Sequence, residues 1–206
     1  MSRGEVAIVD LGLGNLRSVA RAFERADAKP ELVSRADEIA RAGRLVVPGQ
    51  GAFRDAAAAL EGGVGEALCA HVGTGKPYLG ICLGMQVLFE SSEEAAGSSG
   101  LALFPGHVAR FPDGMRDPET RERLKVPHVG WNVVRGRHAL LPHEGWFYFV
   151  HSYRCVPASG ELTVATADYG GPFCAAVARD NVLACQFHPE KSQAEGARLI
   201  ERFLAS

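Results

Sequence analysis

Short apolar runs alternate with amphipathic segments through the first half of the chain. The runs at residues 5–10, 44–47 and 78–81 are rich in β-branched and aliphatic side chains, which is typical of buried strands. Apolar residues recur at helical spacing from Leu16 to Phe23, behind Asn15 as a favourable N-cap. This alternation predicts an α/β fold whose central, mostly parallel sheet carries helices on both faces.

Further helices are predicted over residues 52–60 and 64–72, and a helix is expected to begin at residues 85–89. In the second half, strand-like runs follow one another with few helical patterns between them, which favours antiparallel pairing. These runs lie at residues 108–111, 147–150, 162–166, 173–178 and 182–187.

The chain is expected to close with a helix over residues 194–204. Two polar segments, residues 91–100 and the densely charged residues 112–125, are predicted to be surface loops. No segment has the composition of a linker. A length of 206 residues suits one core, so a single domain spanning residues 1–206 is expected.

Charge and cysteine content exclude several classes of protein. With 22 basic and 24 acidic residues, the chain is not a strongly basic nucleic-acid-binding protein. No apolar stretch approaches the roughly 18 residues that a membrane-spanning helix needs. The cysteines show no paired metal-ligand spacing, so neither a disulfide scaffold nor a metal site is expected, and a reducing, cytoplasmic location is the simplest interpretation. They are Cys69, Cys82, Cys155, Cys174 and Cys185.

The segment Gly80-Ile-Cys-Leu-Gly84 follows a predicted strand and precedes a predicted helix. Small residues on both sides permit the tight turn of a nucleophile elbow, which exposes the central side chain. The helix N-terminus would lower the pKa of the Cys82 thiol, and the N–H of Leu83 could donate to an oxyanion. The alternative is that Cys82 is a small buried apolar residue, as most free cysteines are.

A cysteine nucleophile requires a base and a group that orients the base. His188 and Glu190, in Gln186-Phe-His-Pro-Glu190, offer both, because residues i and i+2 of an extended chain point to the same side. A structural histidine at a strand end is the alternative.

The segment Pro48-Gly49-Gln50-Gly51 closes a predicted strand at the carboxyl edge of the sheet, where ligands of parallel sheets bind. Its glycines would let backbone N–H groups approach a ligand, although an ordinary turn has the same composition.

Taken together, these three motifs resemble those of the class I (triad) glutamine amidotransferases, in the same order and along essentially the whole chain. Gly80-Ile-Cys-Leu-Gly-Met-Gln86, the Pro-Gly-x-Gly strand end and Phe187-His-Pro-Glu-Lys-Ser192 carry the likeness. Three further stretches are similar to the glutaminase subunits of imidazole glycerol phosphate synthases in histidine biosynthesis. They are Gly12-Leu-Gly-Asn-Leu-Arg-Ser-Val19, Pro127-His-Val-Gly-Trp-Asn132 and Tyr148-Phe-Val-His-Ser-Tyr153.

The resemblance implies that Cys82 attacks the carboxamide of glutamine, with His188 as base and Glu190 orienting it. A glutamyl thioester would form and be hydrolysed to glutamate, with no cofactor. The expected substrate-binding residues are the oxyanion segment Gly49, Gln50 and Gly51, with Leu83, then Gln86 on the helix, and the backbone around His151, Ser152 and Tyr153.

The resemblance also implies a partner, a (β/α)8-barrel cyclase subunit that receives the ammonia in a heterodimer. The barrel would convert a phosphoribulosyl-formimino intermediate to imidazole glycerol phosphate and an aminoimidazole carboxamide ribotide. The expected interface residues are Asn15, Trp131, Asn132, Tyr148 and Lys191. On their own, Trp131 and Tyr148 suit core packing equally, and Lys191 suits a solvated surface.

Two features depart from the family pattern. Gln50 stands where an aliphatic residue often occurs, and residues 112–125 are longer and more charged than expected. The alternatives are another class I amidotransferase, of pyridoxal phosphate, anthranilate or purine synthesis, a cysteine peptidase or redox thiol protein, or a binding module with an inactive site.

Overall fold

The computed structural model describes residues 4–206 and contains a large sheet, a small sheet and six α-helices within them. The nine-stranded sheet has the order β2-β1-β3-β4-β12-β11-β10-β7-β8. Its strands are β1 (Glu5–Val9), β2 (Lys29–Val33), β3 (Leu45–Gly49), β4 (Tyr78–Cys82), β7 (His128–Gly136), β8 (Glu144–His151), β10 (Thr163–Asp168), β11 (Pro172–Arg179) and β12 (Val182–Cys185). The small sheet has the order β5-β6-β9, formed by β5 (Ser91–Ser92), β6 (Gly106–Arg110) and β9 (Tyr153–Pro157).

The large sheet changes character at β12. From β2 to β12 every neighbouring pair is parallel, and from β12 to β8 every neighbouring pair is antiparallel. This division confirms the predicted fold class, a mostly parallel α/β sheet followed by antiparallel strands. It follows from the connections, because parallel neighbours need a long crossover, whereas the later strands are joined by short loops.

The helices pack on the sheet and bury two apolar clusters. They are α1 (Leu16–Glu24), α2 (Ala36–Arg41), α3 (Phe53–Ala59), α4 (Val64–Gly73), α5 (Leu83–Gln86) and α6 (Gln193–Ala205). One cluster contains Phe23 of α1 and Phe203 of α6, and the other contains Phe53 of α3. Asn15 caps α1 as predicted, because its side chain accepts a hydrogen bond from the N–H of Ser18.

Some elements differ from the sequence-based expectations. The helix expected at residues 85–89 begins earlier and ends at Gln86 after four residues. Strand β3 runs through Pro48 to Gly49 instead of ending before the proline. Strand β2 was not predicted, because it lies at the edge of the sheet and buries only Val33, so it has no continuous apolar run. Helix α2 and strands β5, β7 and β9 were also not predicted.

The segments expected to be loops contain little regular structure. Residues 91–100 hold the two-residue strand β5, and residues 112–125 hold turns and one isolated bridge between Arg116 and Arg123. None of the helices within residues 4–206 combines the length and apolarity that a membrane-spanning helix requires.

Candidate active site

The carboxyl ends of three adjacent strands meet at the predicted site. Strand β4 lies between β3 and β12, so that Cys82 pairs with Gly49 on one side and Ile81 pairs with Cys185 on the other. The chain then continues from β12 to His188 and to Glu190 in a short 3-10 turn, Pro189–Lys191. The parallel pairing of β4 and β12 therefore unites two motifs that lie about a hundred positions apart in the sequence.

Cys82 occupies a strained turn between β4 and α5. Its backbone angles, a φ of 54° and a ψ of −106°, lie in a region where residues other than glycine are rarely found. The flanking glycines permit this turn because other atoms pack directly against them. A Cβ on Gly80 would lie 2.9 Å from the Cβ of Ala184, and a Cβ on Gly84 would overlap the carbonyl oxygen of Val47. The geometry is that of a nucleophile elbow.

His188 and Glu190 form a buried, hydrogen-bonded pair. The Nδ1 atom of His188 lies 2.7 Å from Oε1 of Glu190, and the two side chains are 2% and 4% exposed. Backbone bonds hold the histidine in place, since its N–H donates to the carbonyl of Tyr148 and its own carbonyl accepts from the hydroxyl of Ser192. Nδ1 therefore carries the proton shared with Glu190, which leaves Nε2 free to face the thiol.

The protonation of His188 depends on the sulfur beside it. Burial alone would lower the pKa of His188, but the charge and hydrogen bonding of Cys82, followed by those of Glu190, outweigh burial and raise it to about 9. Nε2 is buried without an aligned hydrogen bond, so the sulfur acts mainly through its charge. A raised pKa lets His188 accept and hold a proton beside the sulfur, which is what the base of a cysteine nucleophile must do.

A cavity of about 410 Å³ opens above the sulfur. Eight of the predicted site residues line it: Gln50, Gly51, Cys82, Leu83, Gln86, His151, Ser152 and Tyr153. Gly49 does not line it. This glycine packs under Leu83, where a Cβ would come within 2.9 Å of the leucine Cβ, and it borders a much smaller cavity beside His188 and Glu190.

Gln86 lies inside the wall of the cavity rather than projecting freely into it. Its Nε2 donates to the carbonyl of Tyr153 at 3.3 Å and to Oε1 of Gln186 at 3.2 Å. Gln186, which is fully buried, donates in turn to the sulfur of Cys82 at 3.5 Å. Two amide side chains therefore connect the nucleophile to the backbone of Tyr153 in the cavity wall.

Three of the predicted interface residues lie together on one outward surface. Trp131 of β7 faces Tyr148 of β8, with ring centroids 6.0 Å apart, and the ammonium group of Lys191 lies 5.9 Å from the Tyr148 ring. Trp146 and Val129 lie on the same face of these strands. We call Val129, Trp131, Trp146 and Tyr148 the outer β7–β8 face.

The other two predicted interface residues make bonds within the chain. The side chain of Asn132 donates to the carbonyl of Asp168 at 2.7 Å and accepts from the N–H of Val133. Asn15 borders the small cavity beside Glu190 while its side chain caps α1.

Several residues of the site were not predicted. Glu94 lines the cavity and is the one carboxylate among its lining residues, yet it lies in an irregular segment without a recognisable motif. Gln186 stands next to the recognised Phe-His-Pro-Glu segment, and this position was its only signal. Trp146 could have been found from the alternation Trp146, Tyr148, Val150, which places three large side chains on one side of β8.

No group of three or more His, Cys, Asp or Glu side chains within residues 4–206 is arranged to hold a metal ion. The five cysteines are free thiols, and four of them are buried.

Comparison with known proteins shows the family to which the chain belongs. Residues 7–206 match the family described as glutamine amidotransferase class-I, and the chain belongs to that family. The chain is 17% identical to a solved structure described as PurLQS from Thermotoga maritima, which covers 98% of it with a TM-score of 0.76. This likeness confirms the fold.

Curated relatives narrow the class. The chain is 48% identical to imidazole glycerol phosphate synthase subunit HisH of Syntrophotalea carbinolica, over 96% of this chain and 98% of the relative. It is 49% identical to the HisH subunit of Methylococcus capsulatus, over 97% and 95%. The predicted resemblance to the glutaminase subunits of imidazole glycerol phosphate synthases is confirmed.

Proposed function

We propose that the chain hydrolyses glutamine at Cys82 and passes the ammonia to a (β/α)8-barrel cyclase subunit in histidine biosynthesis. The observation that carries this proposal is the juxtaposition of the strained Cys82 turn, the buried His188–Glu190 pair and the open cavity beside the sulfur. Family membership supplies the reaction class, and the geometry supports the assignment of each role.

His188 first takes the proton of the Cys82 thiol, which gives a thiolate beside an imidazolium. The sulfur attacks the carboxamide carbon of glutamine, so a C–S bond forms. The C–N bond then breaks as His188 gives its proton to the departing nitrogen. His188, neutral again, takes a proton from water as the hydroxide adds to the thioester. The C–S bond then breaks, His188 returns the proton to the departing sulfur, and glutamate leaves with its new carboxyl group, which ionises in solvent. Glu190 holds the imidazole in one tautomer and stabilises its charged form.

The negative oxygen that forms during attack needs donors close to the elbow. The backbone N–H of Leu83 follows the nucleophile directly, as the first oxyanion donor does in nucleophile elbows. The segment Gly49, Gln50 and Gly51 lies beside it, at the end of β3. Gly51 has a φ of 136°, a conformation that favours glycine and orients the peptide groups of this segment.

The amino-acid end of glutamine carries one positive and one negative charge. Glu94 suits the ammonium group, because its Oε2 accepts from the N–H of Phe53 at 2.8 Å and its other oxygen remains for the ligand. The backbone from His151 to Tyr153 lines the adjacent wall and would hold the carboxylate. Gln86 supports this wall through the Tyr153 carbonyl.

The barrel subunit would dock on the outer β7–β8 face. Val129, Trp131 and Trp146 are 54%, 43% and 58% exposed, which is unusual for side chains of this size. Val150 follows Tyr148 on the same side of β8 and lines the cavity, so the face adjoins the site of ammonia release. Lys191 and Asn15 would complete the interface.

We also propose a cytoplasmic location. The cysteines are free thiols and four of them are buried, which is consistent with a protein that acts in the reducing cytoplasm.

The proposal is tested by glutamate release from glutamine, measured for the chain alone and with the barrel subunit carrying its ligand. We expect slow release alone and strong stimulation in the complex. Rapid turnover without stimulation would contradict the proposed dependence on a partner. Peptide cleavage without glutaminase activity would contradict the proposed reaction.

A chloroketone analogue of glutamine identifies the nucleophile. We expect mass spectrometry to locate one adduct on Cys82 and none on Cys69, the half-buried thiol of α4. The Cys69→Ala variant is the matched control and should retain labelling and turnover. Labelling at Cys69, or a labelled Cys82→Ala variant, would remove Cys82 from the mechanism.

A further inference from the structure

A second buried pair, formed by two histidines, lies at the wall of the cavity. Nδ1 of His128, on β7, is 3.0 Å from Nε2 of His151, at the end of β8. Both residues are buried, at 3% and 5% exposure, and neither belongs to the Cys82–His188–Glu190 triad. Buried polar groups are costly unless they are hydrogen-bonded, so the partners at both ends of this pair decide what it can do.

Backbone groups at the two ends assign every proton in the pair. Nδ1 of His151 lies 2.8 Å from the carbonyl of Tyr153, which can only accept, so this nitrogen carries a proton. Nε2 of a neutral His151 must then accept, and Nδ1 of His128 must donate to it.

The hydrogen bonds of Asn132, at the His128 end of the pair, lead independently to the same assignment of protons. The side-chain oxygen of Asn132 accepts from the N–H of Val133, and its nitrogen donates to the carbonyl of Asp168, which fixes the orientation of the amide. That nitrogen lies 3.3 Å from Nε2 of His128, which must therefore be an acceptor. Both imidazoles are neutral with the proton on Nδ1, and no other assignment satisfies all five hydrogen bonds.

Aromatic packing holds the His128 ring in this orientation. The ring stacks on Tyr169, with centroids 4.0 Å apart, and on Phe149, with centroids 4.8 Å apart. Burial lowers the pKa of His128 to about 4, which agrees with a neutral ring at physiological pH.

The pair ends on a carbonyl that belongs to the cavity wall. The oxygen of Tyr153 accepts both from His151 and from Gln86, and Tyr153 lines the cavity. We propose that His128 is a positioning residue for glutamine binding: through His151 it fixes the Tyr153 peptide and so the wall that receives the amino-acid end of the substrate. This inference rests on the proposed function.

The first test reads the tautomers and needs no catalytic activity. In the full chain labelled with ¹⁵N-histidine, long-range ¹H–¹⁵N correlation spectra should show His128 and His151 protonated on Nδ1 and bare on Nε2 between pH 6 and pH 8. Replacement of each residue in turn assigns the signals. A proton on Nε2 of either ring in this range would overturn the proposal, whatever the outcome of the glutaminase assays.

The second test compares three replacements of His128 in the complex with the barrel subunit. An asparagine amide can occupy the place of Nδ1 and still donate to His151, a glutamine amide reaches only the place of Nε2, and leucine does neither. We expect His128→Gln and His128→Leu to raise the KM for glutamine about tenfold, the effect of one lost hydrogen bond. The KM of His128→Asn should stay near that of the wild type, with kcat similar in all three.

A purely structural role would give a different result. Loss of folded enzyme lowers kcat in proportion to the active fraction and leaves KM unchanged, and thermal unfolding measures that loss separately. Equal KM values in the asparagine, glutamine and leucine variants would overturn the positioning role. An inactive wild-type complex would instead refute the proposed function. The tautomer assignment would still be decided separately by the ¹H–¹⁵N spectra.

Discussion

The structure buries two hydrogen-bonded pairs that contain histidine, His188–Glu190 and His128–His151, and the two pairs differ in charge. His188 hydrogen-bonds to the Glu190 carboxylate and lies beside the Cys82 sulfur, and its pKa is raised to about 9. His151 hydrogen-bonds to neutral partners, a carbonyl and the ring of His128, and burial lowers its pKa to about 3. Burial is similar in the two regions, so the neighbouring charges decide the difference.

The contrast separates chemistry from binding. The parallel half of the sheet provides the strained turn and the charged pair that move protons, so changes there should lower kcat. The antiparallel half provides a neutral, hydrogen-bonded wall, so changes there should raise KM. Variants on either side of the cavity therefore test whether this division is real.

The largest effect is expected from Cys82→Ala. Glutamine hydrolysis should fall to background, because the change removes the nucleophile while deleting only one sulfur atom from the packing. In this variant the pKa of His188 should also fall, because the sulfur is the largest of the influences that raise it. Kinetics and an NMR titration of His188 measure both results. An unchanged pKa would show that Glu190 alone sets the charge of the imidazole.

Glu190→Gln should lower kcat about 10³–10⁴-fold with little change in KM, by analogy with carboxylates of other catalytic triads. The amide keeps the shape but removes the charge that stabilises the imidazolium and orients Nδ1. Steady-state kinetics of the complex test this expectation. A rise in KM at constant kcat would mean that Glu190 contributes to glutamine binding, and it would contradict the division between chemistry and binding.

Glu94→Gln should raise the KM about 10–100-fold, the range expected for loss of one hydrogen bond between charged groups. The amide can still accept from the N–H of Phe53, so the local structure should persist. Glutamine titrations of the complex measure the effect, with Glu93→Gln as the matched control at the neighbouring position. If Glu94→Gln lowers only kcat, the carboxylate does not bind the substrate.

The smallest effect concerns stability in mild acid. The pKa values of His128 and His151 are lowered, to about 4 and about 3, so the unfolded chain takes up protons below pH 6.5 that the folded chain refuses. Stability should therefore decrease as the pH falls from about 6.5 towards 4.

Removing one such histidine in His128→Asn should reduce this slope by up to about 1.4 kcal/mol per pH unit. Urea unfolding at several pH values compares the variant with the wild type. Parallel curves would mean that His128 is protonated in the folded state, contrary to its assignment as a neutral donor.

Local sequence rules were sufficient wherever a motif forces a backbone conformation. Gly80 and Gly84 predicted the turn at Cys82 because a side chain at either position would collide with a neighbouring strand. The parallel half of the sheet was recognisable for a related reason, since strands buried on both faces appear as continuous apolar runs.

Tertiary contacts decided the parts of the site that carry no motif. Glu94 reaches the cavity because an irregular segment packs against the N-terminus of α3, and nothing in its neighbouring residues indicates this. Asn132, which is predicted to lie at the subunit interface, also bonds through its amide to Asp168 of the adjacent strand β10, and no motif indicates this bond. The roles of the site residues stay predictions until the variants above are measured.

The sequence alone determined the buried strands β1, β3 and β4, the reactive turn and the family, because these depend on residues close together in the chain. Only the folded structure decided which histidine is charged and which is neutral. That outcome depends on the carboxylate, carbonyl or sulfur that the fold brings within a few ångströms of each ring, and such neighbours come from distant parts of the sequence.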